Sequence, residues 1–296
     1  MSILQRIQYL TVLFFLKLSK ILPASFLSAI FKFFALILFR ALKSRRELTI
    51  KNLTLVYPQK SKKEIYALAK ACFKSVAITA SEIMLIMGGR KHIDDFLINK
   101  DEILKSLSGI AKENKNGIVF VTAHFGNWEI LPHLMAMNGY SMVAIGREGD
   151  NKLIEKNLTK PFREKYGNQN IYKNEAMRKM VKTLRECGNV GLLIDQKAGR
   201  VNSVLTTFFG IECRTTISVA SLKLKYNPLV IPIFTKREGC GKYRIIFYGT
   251  ADYKADDKDG EEEKIQALTQ YYNDILERAV KEAPEQWFWM HNRWKL

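Results

Sequence analysis

The chain has 296 residues, 47% of them hydrophobic, enough for one large domain or for a domain with a membrane-binding segment. A formal net charge of +18 excludes an electrostatically neutral surface and points to acidic partners: nucleic acid, anionic membrane or acidic protein. Cys72, Cys187, Cys213 and Cys240 are scattered without paired spacing, which excludes a disulfide framework and a Cys-x-x-Cys zinc site and fits a reduced, cytoplasm-facing body. Cys72 and Cys187 fall in apolar helical patterns and read as core filler.

Ile3 to Leu42 is dominated by Leu, Ile and Phe, interrupted by Arg6, Lys17, Lys20, Lys32 and Arg40. No uncharged stretch reaches the ~18 apolar residues that mark a spanning helix. The pattern predicts two apolar helices broken at Pro23 and lying in the membrane interface, with a short span from Ile3 to Leu22 as the alternative. Lys43, Arg45 and Arg46 follow at once, and basic residues after an apolar segment favour the cytoplasmic face. The division predicted is therefore a membrane-associating segment, 1–43, and a single α/β domain, 44–296.

Ser61-Lys-Lys-Glu64 has the form of a capping box and opens a helix from about Ile65 to Met87, ended by Gly88-Gly89. Strands and helices then alternate. Strands are expected at Ile118–Thr122, Ser141–Ile145, Ile171–Tyr172, Val190–Ile194, Leu229–Phe234 and Tyr243–Tyr248. Helices are expected at Asn127–Met137, in parts of Asp150–Tyr166 with a break at Pro161, after a cap at Asn174, at Thr215–Tyr226 and at Glu261–Glu282. Asp252 to Glu263 reads as a solvated acidic loop and helix start. This alternation predicts an α/β fold: a mixed, mainly parallel sheet flanked by helices, with ligands bound beyond the carboxyl ends of its strands.

Val121-Thr-Ala-His-Phe-Gly-Asn-Trp-Glu129 follows one such strand directly. On a single helix His124 and Glu129 would lie about 140° apart, so they meet only if His124 stands on a loop and Glu129 in the first helical turn. Gly126 permits the turn and Asn127 is a good N-cap. A carboxylate accepting from one imidazole nitrogen would leave the other free as a base, and the helix N-terminus suits an oxyanion or phosphate. No Gly-x-Ser-x-Gly, His-Glu-x-x-His, Gly-x-Gly-x-x-Gly or Walker A pattern is present, so no metal or other cofactor is expected.

Five blocks in order resemble the late acyltransferases of lipid A biosynthesis, the lauroyl and myristoyl transferases, within the wider His-x4-Asp/Glu glycerolipid acyltransferases. They are Thr122 to Glu129, Ile145-Gly-Arg-Glu-Gly-Asp150 with Phe162-Arg-Glu-Lys-Tyr-Gly167, Ile194-Asp-Gln196, Phe208-Phe-Gly210, and Pro284-Glu-Gln-Trp-Phe-Trp-Met-His-Asn-Arg293. Lys197-Ala-Gly199 departs from the family, which often carries another acidic residue there.

The resemblance implies transfer of a fatty acyl group from acyl carrier protein to a hydroxyl of the anionic lipid A precursor, at the cytoplasmic face of the inner membrane. It implies His124 as general base with Glu129 its partner, and Arg147 on the acceptor or the reacting groups. Gly126, Asn127, Arg163, Asp195 and Gln196 are expected on the substrate side. Competing readings are a glycerophosphate or phosphatidylinositol mannoside acyltransferase, against which Glu129 argues mildly, and a noncatalytic basic protein on an anionic membrane. Without a nucleic-acid motif, nucleic acid is not an expected partner.

Overall fold

Val119 and Val121 turn to one face of the central sheet and Ile118 and Phe120 to the other, and each face carries its own hydrophobic core. The computed structural model describes residues 2–295 apart from 113, 147, 173–175, 240, 252 and 254–259. The five residues of β1 (Ile118–Thr122) are all buried, as a strand covered on both faces requires. The other strands of the sheet are β2 (Met142–Gly146), β3 (Gln169–Tyr172), β4 (Asn189–Leu193), β7 (Leu229–Gly239) and β8 (Lys242–Phe247), in the order β3-β2-β4-β1-β7-β8. All neighbours run parallel except the β7–β8 pair. The expected architecture is therefore present.

One core holds Val119, Val121 and Val190 with the buried faces of α9 (Ala176–Arg185), α10 (Ser218–Tyr226) and α11 (Glu261–Glu282). The other holds Ile118 and Phe120 with α5 (Lys100–Ala111) and α6 (Ile130–Met137). α11 starts on Glu261, Glu262 and Glu263 and carries Lys281 in its last turn, charges that complement the helix dipole. α4 (Lys62–Met87) opens on the predicted capping box: Ser61 Oγ accepts from Glu64 N at 3.3 Å and Glu64 returns a carboxylate to Ser61 N at 2.8 Å.

Two departures have clear causes. The helix expected from Thr215 begins only at Ser218, because β5 (Ser203–Phe208) and β6 (Ile211–Thr216) form an antiparallel hairpin outside the main sheet. Its two-residue turn, Phe209-Gly210, has φ of 55° and 72°, the left-handed pair a tight hairpin favours. Cys187 is not core filler; it is exposed, at φ 58°, in the turn that follows α9. The expected cap at Asn174 and most of the acidic loop from Asp252 lie outside the described residues.

The N-terminal apolar run forms α1 (Ile3–Ile21) and α2 (Ala24–Ala41), broken at Pro23 as expected. Among the described residues, α2 is the one helix long and apolar enough to cross a membrane. It buries Leu27, Ala35 and Phe39 and leaves Phe26, Phe33, Phe34, Ile37 and Leu38 exposed. Ala35 and Phe39 belong to the same core as β1, with Phe39 edge-on to Phe73 of α4 at 5.0 Å. α1 is fastened as well: Ser19 donates to the Met84 carbonyl at 2.9 Å, and Asn151 donates to the Gln5 carbonyl and to Gln8 Oε1. α3 (Lys43–Val56) follows and buries Asn52, whose amide donates to the carbonyls of Trp289 and His291.

Candidate active site

Thr122 of β1 pairs with Leu193 of β4, so the residues two places further on, His124 and Asp195, face each other just beyond the carboxyl edge of the sheet. His124 Nδ1 lies 2.9 Å from Asp195 Oδ1. Asp195 Oδ2 accepts from the His124 backbone N–H at 3.1 Å and from Trp287 Nε1 at 2.9 Å. A carboxylate with both oxygens engaged as acceptors requires Nδ1 to carry the imidazole proton and leaves Nε2 as a free base.

Burial pushes Asp195 upward, but His124 and then Trp287 outweigh it and hold the carboxyl below its ordinary range. Burial likewise lowers His124, and the Asp195 charge and hydrogen bond overcome it, so the imidazole is more basic than usual. Trp128 stacks edge-on against the ring at 5.2 Å. Gln196 Nε2 approaches both ring nitrogens at 3.5 Å, a contact too long and too evenly shared to fix either one.

The expected contact between Glu129 and the imidazole is not the one that forms. Glu129 is gripped by Arg163, whose Nε donates to Oε2 at 3.1 Å and Nη2 to Oε1 at 2.5 Å. Burial raises the Glu129 carboxyl, Arg163 lowers it further, and the net direction is down. Glu129 remains close enough to raise His124 through charge alone. It is the N-cap residue of α6, so Asn127 is not the cap expected; the Asn127 side chain turns inward and donates to Glu82 Oε2 at 3.0 Å.

Arg163 follows the break at Pro161. A π turn over Glu155–Thr159 separates α7 (Lys152–Ile154) from α8 (Lys160–Arg163), and Pro161 sits in the first turn of α8. A proline there cannot donate to a carbonyl four residues back, and the wider turn absorbs the mismatch.

Of the residues expected on the substrate side, Asp195 serves His124 and Arg163 serves Glu129. Gly126 is enclosed: its N–H donates to the Gln286 carbonyl, its carbonyl accepts from Thr79, and a Cβ would lie 1.7 Å from the Thr235 carbonyl oxygen. Asn127 is fully buried. Gln196 borders the ring, and Arg147 lies outside the described residues.

The C-terminal block is built into the site. Phe125 and Trp287 form an antiparallel bridge, and Phe288 N donates to the His124 carbonyl at 3.0 Å. Trp287, Trp289 and Arg293 are buried, and Arg293 donates to the Gln196 and Arg214 carbonyls, Thr215 Oγ1 and Asn273 Oδ1. Arg163→Ala should destabilise the fold by about 3 kcal/mol, the lower end for breaking a buried ion pair, since it strands the largely buried Glu129 carboxylate. Urea denaturation of the variant against wild type measures this, and a change under ~0.5 kcal/mol would show that the fork is idle.

The site is thus a histidine held by a buried aspartate at the carboxyl end of a parallel strand in an α/β fold. Residues 1–296 match the family described as bacterial lipid A biosynthesis acyltransferase, and the chain belongs to that family. It is similar to the lipid A biosynthesis palmitoleoyltransferase of Escherichia coli K12, 26% identical over 262 residues, covering 86% of this chain and 80% of the relative. The lauroyltransferase of the same strain is 23% identical over 272 residues, covering 86% and 81%, and the myristoyltransferase is 22% identical over 250 residues, covering 84% and 74%. The protein is an O-acyltransferase of lipid A biosynthesis.

Proposed function

We propose that this enzyme moves a fatty acyl chain from the thioester of acyl carrier protein to a hydroxyl of an anionic lipid A precursor at the cytoplasmic face of the inner membrane. The observation that carries the reading is the His124–Asp195 pair. An alcohol is a poor nucleophile near neutrality, and His124 Nε2 takes its proton as the oxygen attacks the thioester carbonyl. Asp195 holds the tautomer and stabilises the imidazolium, which then protonates the departing thiolate. Glu129 enters as the second member of the centre: its charge supports the imidazolium, and it fixes Arg163. That fork uses two of the five guanidinium N–H donors, leaving others for the carbonyl oxyanion or an acceptor phosphate. Arg147 is assigned to the acceptor on the family resemblance.

The charge of +18 favours both acidic substrates, carrier and phosphorylated glycolipid. The test is turnover by purified protein with acyl carrier protein or coenzyme A as donor and a lipid A precursor as acceptor, read by mass spectrometry of the lipid. Transfer to glycerophosphate in place of the glycolipid would sink the acceptor assignment, and preference for coenzyme A would sink the carrier.

Residues 1–43 are proposed to seat the enzyme on the bilayer, with the chemistry in 44–296. The exposed apolar side chains of α1 and α2, edged by Arg45 and Arg46, are the reason. Deleting residues 1–42 would also remove Ala35 and Phe39 from the shared core, so point changes are the cleaner test. Phe26→Asp with Phe33→Asp should cut partitioning to anionic vesicles at least ~10-fold, given roughly 1.5–3 kcal/mol per buried phenylalanine. Equal co-sedimentation of variant and wild type would place the membrane contact elsewhere.

A further inference from the structure

Beneath the loop from His124 to Glu129 lies a polar cluster that the proposed chemistry does not use. Glu82 of α4 is 3% exposed. Its Oε2 accepts from Asn127 Nδ2 at 3.0 Å and from Tyr243 Oη at 2.6 Å, with Arg237 Nη2 3.9 Å away. Arg237 donates to Ser75 Oγ at 2.8 Å and to Thr79 Oγ1 at 2.9 Å, and the Thr79 hydroxyl donates to the Gly126 carbonyl at 2.8 Å. Two relays from one helix thus end on consecutive loop residues, Gly126 and Asn127.

An apolar helix face would pack here without desolvating a carboxyl and a guanidinium. What the polar set provides is direction: each hydrogen bond in a buried network admits one narrow geometry. Glu82 Oε1 and Asn127 Oδ1 are buried acceptors without a partner among the described residues. Burial pushes the Glu82 carboxyl upward, and Arg237, Tyr243 and Asn127 together do not reverse it.

We propose that Thr79 and Glu82 are positioning residues for the acyl-transfer centre, holding Gly126 and Asn127 so that the loop presents His124 and Glu129 in register with Asp195 and Arg163. The proposal rests on His124 being the base.

Thr79→Val keeps the side-chain volume and deletes the hydroxyl. Its kcat should fall about 10-fold while KM for the acyl donor stays within about twofold, because a displaced base slows proton transfer more than binding. Thr79→Ser should recover kcat to within about threefold. Glu82→Leu should lose kcat similarly, and Glu82→Gln, neutral and able to accept at the same oxygen, should recover it. Full kcat in folded Thr79→Val and Glu82→Leu would overturn the proposal, and so would losses that Ser and Gln fail to restore. The ring titration of His124, followed by nuclear magnetic resonance, reads the same geometry without turnover. In Thr79→Val its midpoint should fall as the Asp195 contact loosens. A wild type that transfers no acyl group would refute the functional reading alone. An unchanged titration in Thr79→Val would refute the positioning.

Discussion

His124→Ala should lower acyl transfer at least ~100-fold, the lower end of what loss of a general base costs. Neither His133 nor His291 can take over. His133 is buried in α6, pushed down to about 4 by desolvation and wedged against Phe162 and Tyr166. His291 accepts from Lys197 N at 2.8 Å through Nε2 and so has that nitrogen committed. The variant should fold, because the His124 side chain is a quarter exposed and its backbone bonds to Asp195 and Phe288 survive truncation. Circular dichroism is the control and turnover on a lipid A precursor the measurement. A folded His124→Ala enzyme at near-native rate would remove the proton-transfer mechanism.

Asp195→Asn should also cost heavily, on the order of 10²–10⁴ in rate, and should move the pH profile. An amide in place of the carboxylate can offer its NH2 to Nδ1, select the other tautomer and put the proton on the nitrogen that must act as base. In wild type the imidazole is more basic than the ordinary ~6.5, so the rate should fall on the acid side of a midpoint above that value. Without the Asp195 charge, only Glu129 still opposes desolvation and His124 becomes less basic, so the acid limb shifts to lower pH while the plateau drops.

Stability follows the same sign. The raised His124 value contributes stability that is fully present below its unfolded pKa, near 6.5, and is lost as pH rises through the folded value. The lowered Asp195 value contributes above its unfolded pKa, near 3.9, and that part is lost as pH falls through the folded value. The charged pair therefore helps most in the mildly acidic window between them. Thermal melts of wild type and Asp195→Asn should diverge most near pH 5–6 and converge partly above neutrality. A constant gap across pH would show that the histidine titration is not linked to Asp195.

The strand-helix alternation, the break at Pro23 and the capping box at Ser61 are local signals, and the sequence carries them in full. His124 was legible because it closes an apolar run at the start of a turn. Its partner was not. Glu129 is five residues away and Asp195 seventy-one, and spacing along the chain cannot weigh a near carboxylate against a distant one brought alongside by strand pairing. The usable signal was positional: His124 and Asp195 each lie two residues beyond strands that pair in register. The Phe209-Gly210 hairpin was hidden because its Thr-rich strands alternate weakly and its turn places a phenylalanine where glycine is usual. Asn127 looked like a cap because nothing local revealed the buried carboxyl of Glu82 that competes for its amide.

The placement of Gln286, Trp287 and Phe288 against the His124 loop also sets an order of events during synthesis. The helices that bear the exposed phenylalanines leave the ribosome ahead of the site. Gly126 N–H, the His124 carbonyl and the second hydrogen bond to Asp195 Oδ2 all wait for partners encoded more than 160 residues after His124. At roughly 5–20 residues per second, that delay is about 10–30 s. On the seating and chemistry proposed above, a nascent chain meets lipid well before its reaction centre assembles, and chains stalled short of Gln286 would lack that centre.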